Sequence, residues 1–111
     1  MASAFKKAIE PNVGVGAVTV LTVAAAKVIT LIDVSCANVE PGKSQVLGTV
    51  RHVSGVKTAH LIKDGPIPYG SSMVVVGAPR KVVMQAGDQL VALGDKANAF
   101  DIVASYLELD A

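Results

Sequence analysis

Two histidines and a nearby aspartate are the residues best suited to bind a metal ion. His52 and His60 are the only histidines of the 111-residue chain, and Asp64 follows the second. On adjacent strands they could supply three ligands, the number that a catalytic zinc site takes from protein. Their spacing matches no established ligand motif. We therefore interpret both histidines as half-exposed strand residues and predict no metal site.

The single cysteine is the one candidate thiol nucleophile. A reactive cysteine needs a neighbouring cation or a helix N-terminus to lower its pKa. Cys36 lies near the end of a predicted strand with no predicted helix beside it. We predict that it is a small buried hydrophobe. One cysteine also excludes an intramolecular disulfide.

Two further patterns have a chemical interpretation that their context does not support. Gly14-Val15-Gly16 begins like a dinucleotide-binding loop, but Thr19 stands where the third glycine is needed. The acids near the C-terminus suit turns and a chain end better than paired acid–base catalysis; they are Asp88, Asp95, Asp101, Glu108 and Asp110. We predict no catalytic residue and no cofactor, and expect that the protein is not an enzyme.

The balance of charge argues against nucleic acid and membrane as partners. Ten basic residues face nine acidic ones, for a net charge of +1, so the chain lacks the basic stripe that phosphate binding requires. Its most apolar window, residues 17–34, is interrupted by Lys27 and Asp33, which is atypical of a membrane-spanning helix. Lys6 and Lys7 are followed by Glu10 and Pro11 rather than by the apolar run of a secretion signal.

Valine-rich stretches separated by turn residues predict an all-β fold. We expect a single β-sandwich that resembles a jelly roll, with a small barrel as second choice. Gly48 is expected to mark a bulge. Residues 1–16 are expected to form a flexible N-terminal arm and residues 17–111 the sandwich. The eight short strands are predicted at residues 17–23, 28–36, 44–53, 56–63, 71–76, 81–85, 89–93 and 100–109.

The predicted arm and the apolar composition both point to assembly with other proteins. Hydrophobic residues make up 51% of the chain and charged residues only 17%, so part of the surface must be apolar. Such a face marks an interaction site. The candidate partner-binding residues are those of the arm, namely Phe5, Lys6, Lys7 and Ile9.

Several segments resemble small structural proteins of tailed bacteriophages. The resemblance runs in order from Val20 to Leu109, and no single segment is specific. It departs from the family pattern at Ala24-Ala25-Ala26, where the family has Pro-x-Gly, and residues 39–57 do not match. The matching segments are VLTVAAAKVITLIDVSCAN (20–38), HLIKDGPIPYGSS (60–72), MQAGDQL (84–90) and VASYLEL (103–109).

This resemblance implies a non-enzymatic virion component built on a β-sandwich. Such a protein would be made in the host bacterial cytoplasm and would decorate or cement the capsid. Neck, tail or baseplate is the alternative position in the same particle. The implied partners are the chain itself, as a homotrimer or ring, and the major capsid protein or other virion proteins. A receptor- or glycan-binding module is the remaining alternative, for which Tyr69 is the one well-placed loop aromatic.

Overall fold

The computed structural model describes residues 3–77 and 81–110, and 70% of these residues are strand. No helix among these residues is long and apolar enough to cross a membrane. The strands are β1 (Ser3–Val13), β2 (Val18–Thr22), β3 (Lys27–Asn38), β4 (Val46–Ser54), β5 (Lys57–Ile67), β6 (Ser72–Val76), β7 (Val82–Gln85), β8 (Gln89–Gly94) and β9 (Phe100–Asp110).

The strands form two antiparallel sheets that pack as a sandwich, as the sequence predicted. One sheet has the order β1-β9-β3-β6, with β7 also on β3, and the other has the order β2-β8-β4-β5. The first strand pairs with the last, β2 with β8, β3 with β6 and β7, and β4 with β5. The chain is thus a long hairpin wound into a sandwich, which is the arrangement of a jelly roll.

The expected N-terminal arm is instead a strand. Residues 3–13 pair with β9 from Ser3 opposite Leu109 to Val13 opposite Phe100. Proline usually ends a strand because it has no backbone N–H, but Pro11 is tolerated here because β1 lies at the edge of its sheet. The ladder shifts between Glu10 and Val13, where Asn12 has a φ of +54° and turns the chain. The sandwich therefore begins at β1, and Met1 and Ala2 lie outside the described residues.

The eight predicted strands all occur, and β1 makes nine. β6 and β7 together occupy one position in the winding, because β7 pairs with residues 28–31 of β3 and β6 with residues 34–37. An eight-position jelly roll is complete only when β1 fills the place beside β9.

Alternating side chains of both sheets form the core. On β9, the fully buried residues Phe100, Ile102 and Ala104 share one face. On β3 a bulge between Leu31 and Asp33 changes the alternation. Ile29 and Leu31 point inward before the bulge, and Val34 and Cys36 point inward after it.

Two glycines make room for the largest buried side chain, Phe100. Gly48 and Gly94 are cross-strand partners on β4 and β8. A Cβ on either would lie 3.3 Å from the Phe100 ring, and one on Gly94 would lie 2.8 Å from the Ala99 Cβ. The predicted bulge at Gly48 is confirmed, since the β4–β5 ladder shifts between Gly48 and Val50.

Candidate functional site

The two histidines cannot share a metal ion, because they lie on opposite faces of one sheet. His60 is opposite Arg51 in the β4–β5 ladder, and the next residue of β4, His52, therefore points the other way. His60 is exposed. Across the described ranges, no group of three or more His, Cys, Asp or Glu side chains is placed to hold a metal.

His52 instead belongs to a structural cluster centred on Asp88. The Asp88 carboxylate accepts a hydrogen bond from the backbone N–H of Gln85 and lies 3.0 Å from His52 Nε2. Burial by itself would raise the pKa of Asp88. Hydrogen bonds from Gln85, His52 and Ser54 outweigh that effect and hold the pKa below its usual value. The ionised carboxylate fixes the β7–β8 turn against β4.

Cys36 lies in the core and is chemically protected. It is completely buried, and burial raises the pKa of its thiol to about 12. Because the thiolate is the reactive form, this residue is inert at neutral pH.

The remaining candidate residues of the sequence have local structural partners. Asp95 accepts a hydrogen bond from the Leu47 N–H at 2.9 Å, and Asp101 accepts one from the Asn12 N–H at 2.8 Å. The Gly14 carbonyl accepts a bond from the Gly94 N–H at 2.8 Å. The Asp95 and Gly14 contacts each join a loop to a strand, and the Asp101 contact joins β9 to β1.

One face of the sandwich carries exposed apolar side chains in rows. We call the core-distant side of the β1-β9-β3-β6/β7 sheet the outer face. Strand register places one row across it at Phe5, Leu107, Thr30 and Val83, and a second at Ile9, Val103, Ser35 and Val74. Phe5 is 80% exposed, Val74 64%, Val83 58% and Ile9 54%. This is the largest concentration of exposed apolar side chains that the described residues form.

A charged row lies between the two apolar rows. Lys7 on β1 and Asp33 on β3 are both opposite Ser105 of the intervening strand β9. Neither side chain has a hydrogen bond or an ion pair with another described residue. The small Ser105 lies in a shallow groove of about 330 Å³ that Phe5 and Ile32 also line.

Three of the four predicted partner-binding residues lie on this outer face. Phe5, Lys7 and Ile9 alternate along β1 and point the same way. Lys6 points to the other side and donates to Glu108 Oε1 at 2.7 Å. That hydrogen bond and the charge of Glu108 raise the pKa of Lys6. The site therefore includes β1 but omits Lys6.

Sequence reasoning missed the residues that other strands contribute to the outer face. Val74 and Val83 lie in short runs of valine and methionine, in which alternation cannot distinguish the two faces. Asp33 changes face because of the β3 bulge. Strand register, which local sequence does not encode, brings these residues beside Phe5 and Ile9.

Comparisons with protein-family models, with curated proteins and with solved structures find no match to this chain. The resemblance to tailed-phage structural proteins therefore depends on the sequence motifs alone.

Proposed function

We propose that this protein is a non-enzymatic structural subunit of a tailed-phage particle, in which it decorates or cements the capsid. The observation that carries the proposal is the outer face, where four large apolar side chains are more than half exposed. Isolated soluble domains rarely expose this many large apolar side chains on one sheet face, and exposed apolar faces mark sites of protein association. The resemblance of the sequence motifs to phage structural proteins is the reason for proposing a phage particle as the assembly. The fold agrees by analogy, since jelly rolls recur in viral capsid proteins.

The mechanism is the burial of this apolar surface against neighbouring subunits. Each Å² of apolar area removed from water contributes about 25 cal/mol, before the entropic cost of association is subtracted. Modest individual contacts become strong when they are repeated over a lattice, because each bound site raises the effective concentration of the next. A decoration protein stabilises a shell in this way without a chemical step.

Copy number in purified particles tests the proposal. Particles from the source are purified, and the chain is quantified by mass spectrometry against the major capsid protein. Hundreds of copies per particle support a capsid position. A count of about a dozen or fewer, the number expected of a single ring, supports the neck, tail or baseplate. Absence of the chain from all particles overturns the proposal.

A variant on the outer face tests whether that face makes the attachment. Phe5→Asp places a charge on the most exposed apolar residue of the face, and we expect it to lower binding to undecorated particles. Val56→Asp is the matched control, because Val56 is fully exposed at the β4–β5 turn, away from this face. Equal binding by both variants would show that the outer face is not used.

A further inference from the structure

The outer face has about the area that a stable protein interface needs. Four strands spaced about 4.8 Å apart, with about 3.3 Å per residue along the eleven residues of β9, give roughly 700 Å². Each partner in a standard stable complex buries about 800 Å². A second copy related by a two-fold axis along β9 covers three of the four strands, β1, β9 and β3, which is roughly 500 Å² of each face. The two copies together then bury about 1,000 Å², the lower limit for a specific interface.

Charge on this face is arranged so that it complements itself. Lys7 and Asp33 flank Ser105 in one row, one strand to either side of β9. Rotation by 180° about an axis along β9 exchanges the β1 and β3 positions of two facing sheets. It places Lys7 of each copy over Asp33 of the other, so that two such contacts form. An axis across the strands would instead place Lys7 over Lys7.

The apolar rows suit the same rotation. With the axis along β9, Leu107 and Val103 of one copy lie over the same residues of the other. Phe5 then covers the Thr30 position across the interface. Sheets that pack face to face keep their strands within about 30° of each other, which leaves the β1, β9 and β3 parts of these rows in contact. Val74 and Val83 lie outside the overlap, because the partner's sheet ends at its β1. A two-fold contact of this type is closed, because the same surface is used on both copies.

The edge of the sheet is less suited to pairing than its face. β1 carries Lys6 and Lys7, it contains Pro11, and Asn12 has a positive φ. Lysine, proline and local irregularity are the features by which natural edge strands resist the addition of another strand. Continuous pairing of two β1 strands is therefore disfavoured, and the apolar face remains as the contact surface.

We propose that a second copy of this chain covers the β1, β9 and β3 part of the outer face, with the two-fold axis along β9 and with Lys7 of each copy facing Asp33 of the other. This inference rests on the proposed function in one respect, since both treat the outer face as an assembly surface. It adds the identity of the partner, the symmetry and the register. In the particle, the assembling unit is then a dimer, and its Val74 and Val83 stay exposed for contact with the capsid.

Sedimentation equilibrium of the full chain, from about 1 µM to about 500 µM, tests the proposal. We expect a reversible dimer of twice the 11.3 kDa chain mass. Val103→Glu places two like charges together at the axis and is expected to raise the dimer Kd at least about a hundredfold. Val56→Glu, at the exposed β4–β5 turn, leaves the Kd unchanged. A wild-type monomer over the whole range, a trimer, or a dimer insensitive to Val103→Glu overturns the proposal.

Charge reversal tests the register and uses two positions on the outer face, the exposed Lys7 and the half-buried Asp33, whose side chains point away from the core. Lys7→Glu and Asp33→Lys each create two repulsive contacts across the axis, and each is expected to raise the Kd about tenfold or more. The double variant restores opposite charges and returns the Kd to near the wild-type value. Failure of the double variant to recover would overturn the β9 axis. Circular dichroism confirms that each variant is folded.

The two proposals fail separately. A chain that is found in particles but is monomeric in solution and insensitive to these changes overturns the dimer and leaves the proposed function intact. A dimer that behaves as predicted but is absent from all particles overturns the proposed function and leaves the dimer intact.

Discussion

Replacement of Asn38 by alanine should be one of the most damaging polar changes in this protein. Asn38 ends β3 and is only 9% exposed. Its Nδ2 donates to the Ile67 carbonyl at 2.8 Å and to the Ser44 carbonyl at 2.9 Å, and its Oδ1 accepts from the Glu40 N–H at 2.9 Å. One side chain therefore joins the end of β3, the 39–45 loop and the end of β5.

The expected loss in the free energy of unfolding is about 3 kcal/mol. Each of the three hydrogen bonds contributes about 1 kcal/mol net. Ile67 is completely buried, so its carbonyl is left without a partner in the core and adds a desolvation cost. About 3 kcal/mol is therefore the lower end of the expected loss. At roughly 4 °C per kcal/mol for a domain of this size, the melting temperature should fall by about 12 °C.

Urea unfolding followed by far-UV circular dichroism measures this loss, since the chain has no tryptophan. Gln45→Ala is the matched control: it removes an exposed amide side chain from the same loop, and its effect should stay below about 0.5 kcal/mol. Asn38→Asp keeps the acceptor but turns a carboxylate toward two carbonyls, and it should be no more stable than Asn38→Ala at neutral pH. A loss below about 1 kcal/mol for Asn38→Ala would refute the reasoning.

Three further experiments test the core and the cluster around Asp88. The folded-state pKa of Asp88 lies below its unfolded value, so the ionised carboxylate stabilises the fold above about pH 4 and this stabilisation is lost as the pH falls through the folded pKa. The loss of unfolding free energy caused by Asp88→Asn, measured in urea, should therefore shrink in acid. A loss that does not change with pH would contradict the contact with His52. Cys36 should resist a thiol-specific disulfide reagent at pH 8 until urea unfolds the chain, whereas fast labelling of the folded protein would contradict its burial. Gly94→Ala should lower the free energy of unfolding by about 1–3 kcal/mol, because the added methyl group overpacks the core. Gly16→Ala is the control, since a methyl group there contacts nothing. Equal stability of the two variants would contradict the close packing around Gly94.

The local elements of this fold could be predicted from the sequence, but their pairing could not. Eight strands were predicted because alternation and turn residues are properties of neighbouring positions. β1 was missed because Pro11 and Gly14-Val15-Gly16 resemble the end of an element, and because its partner strand lies about 90 residues away. Phe5 and Ile9 were identified by type, whereas Val74 and Val83 join them only through a register set by the whole sheet.

The position of β1 also changes what a truncation can show. If residues 1–16 formed the flexible arm that the sequence predicts, removal of residues 1–11 would leave the domain folded. In the structure, the deletion removes most of an edge strand and uncovers the β9 ladder and Ala104, whose partner is Ala8. We therefore expect the truncated chain to lose much of its stability in urea as well as its assembly. Phe5→Ser changes only an exposed side chain, so it should impair assembly while the unfolding midpoint stays close to that of the wild type. A truncated chain as stable as the wild type would show that the β1–β9 pairing adds little to the fold.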